Sequence, residues 1–362
     1  MTACLTPARP TLPTDRFWQL DYNKLELPVS LGSSFTLDLP AAAQAQGVIF
    51  CGLGEAQRQH PDLLALGLRS SINDDESRFT QLASKDAESG FFCYVPAGVR
   101  LAAPLELQID RAWAGRGVVV LGPDAHAEII ETITAESSET FLCELTEMVL
   151  GERAQLRYTS VQTCGPSLRA FFTRRAIVAA DAQLHLASAE IGAQSVQSYG
   201  DAILRAPGAR ADISVLAFAS QQRYLDLGND LHHAAPQTTS TTLVKAAAIE
   251  SGRGRYYGNI RIDAHAHGAD ATLRDDTLLL SPQAHIDSVP ALEIAANDVK
   301  AFHGATVGSV DDEQRFYAMS RGLSRAAAER MITLGFFEPV IARFPNEVVR
   351  EFLRDQLNTR VG

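Results

Sequence analysis

From about residue 117 to residue 308, apolar residues alternate with polar ones, and turn-forming residues interrupt them at regular distances. Period-two alternation predicts half-buried β-strands, because successive side chains of a strand point to opposite faces. Similar phrases recur: Ala127-Glu128-Ile129, Ala154-Gln155-Leu156-Arg157-Tyr158, Ala182-Gln183-Leu184-His185-Leu186 and Ala211-Asp212-Ile213-Ser214-Val215. Each follows a turn signal, namely Gly122-Pro123-Asp124, Gly151-Glu152, Asp181 and Pro207-Gly208. The opening residues 127, 154, 182 and 211 step by 27, 28 and 29, and Pro282-Gln283-Ala284-His285-Ile286 restores the phrase after a gap. A near-constant repeat of strands predicts a solenoid whose coils bury their apolar faces on one another. A sandwich of long meandering strands is the alternative, since turn spacing leaves parallel and antiparallel pairing open.

The flanks read differently. Residues 1–30 are proline-rich, carry Phe17, Trp18 and Tyr22, and predict an extended arm. Residues 31–110 form a mixed α/β lead-in, with strand-like runs at 47–51, 91–95 and 105–109 and one helix within 70–89, where Phe79 and Leu82 lie three apart. Residues 111–308 are the β core, and 309–362 a small helical module. There Ser309-Val310-Asp311-Asp312 has the form of a capping box, and Gly322 suits the left-handed stop of the first helix. Ser324 caps a second helix with Ala327, Met331 and Leu334 on one stripe, ending or kinking at Glu338 before Pro339. Asn346 caps a third that buries Val349, Phe352, Leu353 and Leu357.

Composition narrows the function classes. The 32 Lys and Arg against 43 Asp and Glu give a net charge of −11, with no basic block. That excludes a dedicated nucleic-acid or anionic-lipid binder, which needs clustered cations. The longest apolar runs fall far short of a membrane span, and the N-terminal stretch has no secretory core, so a cytoplasmic protein is expected. Five cysteines, at 4, 51, 93, 143 and 164, are neither a disulfide framework nor a CxxC metal site, and they suit a reducing compartment.

Several constellations invite chemistry. Asp263, His265 and His267 are spaced to share one face of a strand and could bind zinc or iron. Against this, Ile260, Ile262, Ala264 and Ala266 then take the core face, leaving the histidines on the solvated side. His232 and His233 are adjacent and so face opposite ways; one of them buried and satisfied by threonine hydroxyls is the simpler reading. No nucleophile elbow and no P-loop occur, so the chain is not itself a P-loop ATPase. Asp275-Asp276 reads as a turn, Asp311-Asp312 as a helix start. The densest segment is 292–308, LEIAANDVKAFHGATVG, where the last β coil gives way to helix and His303 precedes a glycine.

In this segment the sequence resembles the SufB/SufD family of iron–sulfur cluster assembly proteins, most closely its SufD branch. The resemblance rests on His233-Ala-Ala-Pro236 with Thr239-Ser240, Tyr257-Gly258, Leu278-Leu-Leu-Ser281, Pro290-Ala-Leu-Glu-Ile294, Asn297-Asp298-Val299-Lys300 and His303-Gly-Ala-Thr306-Val-Gly308. Asp312-Glu313, Phe316-Tyr317 and Ser320-Arg321-Gly322 continue it. It spans about 90–340 well and 16–27 weakly. Departures are Ala301, where the SufD branch often has cysteine, Gly304, where the SufB branch has glutamate, and no counterpart of the SufB-type scaffold cysteine near Pro290. Members usually open with a helical domain of some tens of residues, whereas this sequence starts nearly at the arm that follows it.

The resemblance implies a right-handed parallel β-helix flanked by helices and a non-catalytic scaffold subunit. It implies pairing with a SufB-type subunit, docking of a SufC-type ABC ATPase through the C-terminal helices, and, for the chain alone, a homodimer. A transient iron–sulfur cluster, shared with the partner subunit, forms with His303 as this chain's contribution; the isolated chain needs no cofactor. Glu293, Asp298, Lys300, Glu313, Phe316 and Tyr317 are the expected interface residues. Two rival classes stand beside it: a β-solenoid carbohydrate-active enzyme, for which paired carboxylates are not evident and 7% aromatic residues are thin, and a stand-alone metal binder using Asp263, His265 and His267.

Overall fold

The computed structural model describes residues 25–28, 35–135 and 141–361. Most of the 1–30 arm, with Phe17, Trp18 and Tyr22, lies outside the described residues. The lead-in comprises β1 (Thr36–Asp38), α1 (Ala41–Gln44), β2 (Ile49–Gly52), α2 (Leu53–Gln59), α3 (Pro61–Leu64) and α4 (Arg78–Ala83). Strands then follow without an intervening helix: β3 (Gly90–Val95), β4 (Leu105–Ile109), β5 (Trp113–Leu121), β6 (His126–Ile133), β7 (Phe141–Leu150), β8 (Gln155–Gln162), β9 (Arg169–Val178) and β10 (Gln183–Glu190). The series continues as β11 (Ser195–Leu204), β12 (Arg210–Ala219), β13 (Tyr224–His233), β14 (Thr239–Ala248), β15 (Arg253–Ile262), β16 (Asp270–Leu279), β17 (His285–Ile294) and β18 (Lys300–Ser309). Helices α5 (Asp312–Ser320), α6 (Arg325–Ile341) and α7 (Glu347–Val361) complete the chain.

Odd-numbered strands from β3 to β17 pair in parallel in one sheet, and even-numbered strands from β4 to β18 pair in parallel in the other. Each coil thus adds one strand to each of two sheets, which makes a parallel β-solenoid and removes the meandering sandwich. The inward residues of both sheets form one continuous core that includes Ile129, Leu156, Leu186, Ile213, Leu227, Ile260 and Leu273.

The register corrects the repeat as read from sequence. His126, Gln155, Gln183, Arg210, Thr239, Asp270 and Lys300 stack in one row. The coils therefore step by 29, 28, 27, 29, 31 and 30 residues. Ala127 and Ala211 stand beside Leu156 and Leu184, two positions along from Ala154 and Ala182. A two-residue offset keeps the same side chains inward, so the alternation hides the slip. The 282–286 phrase leads into β17 and so belongs to the odd sheet.

A left-handed residue precedes each even strand from β6 to β16 by two positions: Asp124, Arg153, Asp181, Gly208, Gln237 and Gly268. The residue after it is wholly enclosed in each case, as Ala125, Ala154, Ala182, Ala209, Thr238 and Ala269. Corner amides bond to the next coil, for example Asp124 N–H to Glu152 O at 2.8 Å and Gln237 N–H to His267 O at 2.8 Å. This is why Asp and Gly mark the repeat: they tolerate positive φ at little cost.

The two ends of the solenoid differ. At the N-terminal end, β1 and β2 add antiparallel to β4 and β3 and close both sheets. At the other end, β17 and β18 each have one neighbour among the described residues. Outside, α6 and α7 cover the even sheet through Phe337, Val340, Ile341, Leu353 and Leu357 against Ala187, Leu216, Phe218 and Ala247. Helix α4 covers the odd sheet with Phe79 stacked on Phe171 at 3.8 Å.

The helical tail departs from expectation in four places. Asp311, not Ser309, caps α5, because Ser309 is still paired in β18. Pro339 lies inside α6, whose last turn survives the missing donor because Val340 and Ile341 are buried on the sheet. Met331 is exposed, and the buried stripe runs instead through Ala328, Thr333 and Phe337. Phe352 is also exposed. Ser324 and Asn346 do cap their helices, accepting from Ala327 N–H and Val348 N–H.

Candidate functional site

His303 sits on β18, the fourth residue of an edge strand rather than at its junction with helix. Its register partner is Leu273, a fully enclosed core residue, and Ala301, two positions back, packs on the core. Side chains two apart share a face, so His303 faces the interior at the open end of the solenoid. Its Nδ1 is buried without a hydrogen-bond partner. On the outer face of the same strand Phe302 is 58% exposed, and Val307 and Ile294 add further apolar surface at the rim.

One coil deeper, Asp275 shares the inward face of β16 with Ala271 and Leu273 and pairs with Ala305 in register. Sequence reading missed it, taking Asp275-Asp276 for a turn. Its odd-numbered parity with two core residues was the available signal. Asp275 has no exposed surface, and neither carboxylate oxygen accepts a hydrogen bond. Burial raises its pKa from 3.8 to about 7; the Ser288 hydroxyl on facing β17 offsets part of that without reaching hydrogen-bond geometry. Asp276 points outward instead, pairs with Lys245 at 2.7 Å and accepts from Thr306 at 2.7 Å.

The other expected residues scatter. Glu293 is at the exposed end of β17 and accepts from Asn259 at 3.2 Å. Asp298 is in the turn before β18, its carbonyl taking the Gly268 N–H, and Lys300 opens β18 with its amide on Ala269 O. Glu313 is in the first turn of α5. Phe316 and Tyr317 on α5 are 74% and 61% exposed, with Arg321 lying over the Tyr317 ring.

Asp263, His265 and His267 occupy the turn after β15, not a strand, and Ala264 is exposed. Asp263 pairs with His232 at 2.9 Å, while His265 bonds Ala234 O at 3.0 Å. Among the described residues no group of three His, Cys, Asp or Glu side chains could hold a metal ion. His233 is enclosed between the hydroxyls of Thr238 and Ser240, at 2.8 Å each.

A second polar cluster lies in the middle of the interior. Arg174 reaches Glu131 at 2.7 Å and Ser160 at 2.8 Å, and Tyr158 donates to Glu131 at 3.1 Å. Burial, and then the neighbouring Glu131 carboxylate, raise Glu144 well above the usual carboxylate range. The arrangement neutralises a guanidinium in the core. The described cysteines, Cys51, Cys93, Cys143 and Cys164, are free, and burial pushes the Cys51 thiol up to about 11 and Cys164 to about 12. The sequence has no cysteine after 164, so among the described residues no thiol stands in the last coils.

Residues 106–336 match the family described as "SUF system FeS cluster assembly, SufBD core domain", and residues 24–107 match "SufBD protein N-terminal region". The chain is 28% identical over 318 residues to the iron–sulfur cluster assembly protein SufB of Bacillus subtilis, covering 86% of this chain and 68% of that protein. It is 29% identical over 318 residues to an iron–sulfur cluster assembly SufBD family protein of Staphylococcus epidermidis, with the same coverage of 86% and 68%. No helix among the described residues is long and apolar enough to cross a membrane.

Proposed function

The chain belongs to the SufBD family of iron–sulfur cluster assembly proteins, and we propose that within it the chain is a SufD-type, non-catalytic scaffold subunit of the cytoplasm. Its partner is a SufB-type subunit, and the nascent cluster, which is cargo, forms where the two meet, with His303 as this chain's donor.

The observation that carries this reading is the position of His303: inward at the uncapped end of the solenoid, with Nδ1 enclosed and unbonded. A neutral imidazole suits iron, and a soft thiolate from the partner suits both iron and sulfide. Among the described residues no cysteine lies near His303, the last being Cys164, so this reading takes the thiolate from the partner. Strands β17 and β18 present ten residues each with one edge unpaired among the described residues. Such edges pair with other strands when nothing covers them, and Phe302, Val307 and Ile294 supply apolar surface beside them.

In this reading a SufC-type ATPase docks on the helical module. Phe316, Tyr317, Met319, Leu323 and Met331 are all exposed there, an apolar group of the sort that marks a protein contact. The test is iron and acid-labile sulfide per complex after co-expression with SufB- and SufC-type subunits. His303→Ala folds and joins the complex but carries less of both, while His265→Ala matches wild type. Equal cluster content in His303→Ala and wild type refutes the role.

A further inference from the structure

We propose that Asp275 and His303 together form a half-site for a divalent first-row cation such as Fe2+ inside the mouth of the solenoid, completed by donors from outside the chain. This rests on the reading of His303 above and adds a second donor to it.

The warrant is geometric. A buried carboxylate is normally hydrogen-bonded, because leaving it dry is costly. Asp275 is fully enclosed, yet both oxygens are without a partner, as is the buried Nδ1 of His303. Both side chains face the interior from adjacent strands, since Leu273 pairs with His303 and Asp275 with Ala305. They are diagonal neighbours, a relation that spans about 7–8 Å in sheets with the Cβ atoms somewhat closer. A cation about 2.1 Å from an oxygen and from a nitrogen closes that gap once the two side-chain lengths are added.

The surroundings offer little competition for the two donors. Ala305, beside Asp275 on β18, places only a methyl group between that carboxylate and the open end, and Ser288 faces it from β17. The nearby cation Lys245 is committed to Asp276 on the outer face and to the Phe336 ring. One carboxylate and one imidazole with open positions are hard-to-intermediate donors suited to Fe2+. The pair would hold the ion by displacing water from it, with no redox step, and present its remaining positions to a partner's thiolate.

The test uses the purified full-length chain under anaerobic conditions, with Co2+ absorption and Fe2+ equilibrium dialysis as probes. Wild type binds one ion per chain, and Asp275→Asn and His303→Ala each weaken binding ten-fold or more, while His265→Ala leaves it unchanged. Asn enters without breaking a hydrogen bond, so its melting temperature stays at or above that of wild type. Wild-type affinity in Asp275→Asn, or no binding by wild type, overturns the proposal. If His303→Ala loses cluster in the complex but Asp275→Asn binds Co2+ normally, only the half-site falls. If both weaken Co2+ binding and His303→Ala keeps full cluster content, only the cluster role falls.

Discussion

Replacing His233 by Gln should flatten the acid limb of the protein's stability. The side chain has no exposed surface, and both ring nitrogens are bonded, Nδ1 to Thr238 and Nε2 to Ser240. Thr238 already donates its hydroxyl proton to Ala235 O at 3.1 Å. Its oxygen must therefore accept from Nδ1–H, and Nε2 accepts from the Ser240 hydroxyl. A second proton has no place unless Ser240 turns round. Burial, and then the neighbouring His232, accordingly push the pKa down from 6.5 to about 4.

A depressed histidine contributes stability that is complete above its unfolded value near 6.5 and is lost as the pH falls toward 4. At roughly 1.4 kcal/mol per pH unit the whole effect is about 3 kcal/mol, of which about 2 kcal/mol falls between pH 7 and pH 5. Urea unfolding of wild type and His233→Gln at both pH values isolates it, because every other titrating group is common to the two proteins. Gln lowers stability at pH 7, but the variant should lose about 2 kcal/mol less than wild type on going to pH 5. Equal losses in the two proteins would refute the assignment of a neutral, doubly bonded imidazole.

Other outcomes follow from the odd sheet's outer face and from its first corner. Glu147 is fully buried, pairs with Arg116, and accepts from the amides of Arg69, Ser71 and Ile72 at 2.8, 2.8 and 3.0 Å. Glu147→Ala leaves three amides without their acceptor and Arg116 with Asp74 as its remaining carboxylate partner, so denaturant melts should show a loss of about 3–5 kcal/mol; a loss below about 1 kcal/mol would mean that the 69–72 loop is held by something else. Gly90 has φ +150°, and an added Cβ would lie 1.9 Å from Arg116 O. Gly90→Ala should therefore cost more than the common range of about 0.5–3 kcal/mol, read as a fall in melting temperature, and an unchanged melt would contradict the close approach of β3 to β5.

Much of the fold was legible because it rests on local rules. Period-two alternation fixes which side chains face inward, and Asp and Gly mark four of the six left-handed corners, since positive φ is cheap for them. Helix caps at Ser324 and Asn346 were readable for the same reason: one side chain meets an orphan amide two or three residues on. The motif around His303 also stood out in the sequence, with its strand face implicit in its parity with Ala301.

What the sequence left open was set by neighbours distant along the chain. The exact register of each coil depends on pairing across 27–31 residues, and an in-phase two-residue slip costs nothing in the alternation that sequence reading uses. Asp263, His265 and His267 have strand-like spacing, but the pairing of β15 stops at Ile262 and leaves them in a turn. Asp275 and Asp276 are two adjacent acids until β16 turns one into the dry interior and the other toward Lys245. Only the stacking of β18 on β16 makes Asp275 and His303 neighbours: they are 28 residues apart in the chain, and their meeting is a property of register, which no local pattern encodes.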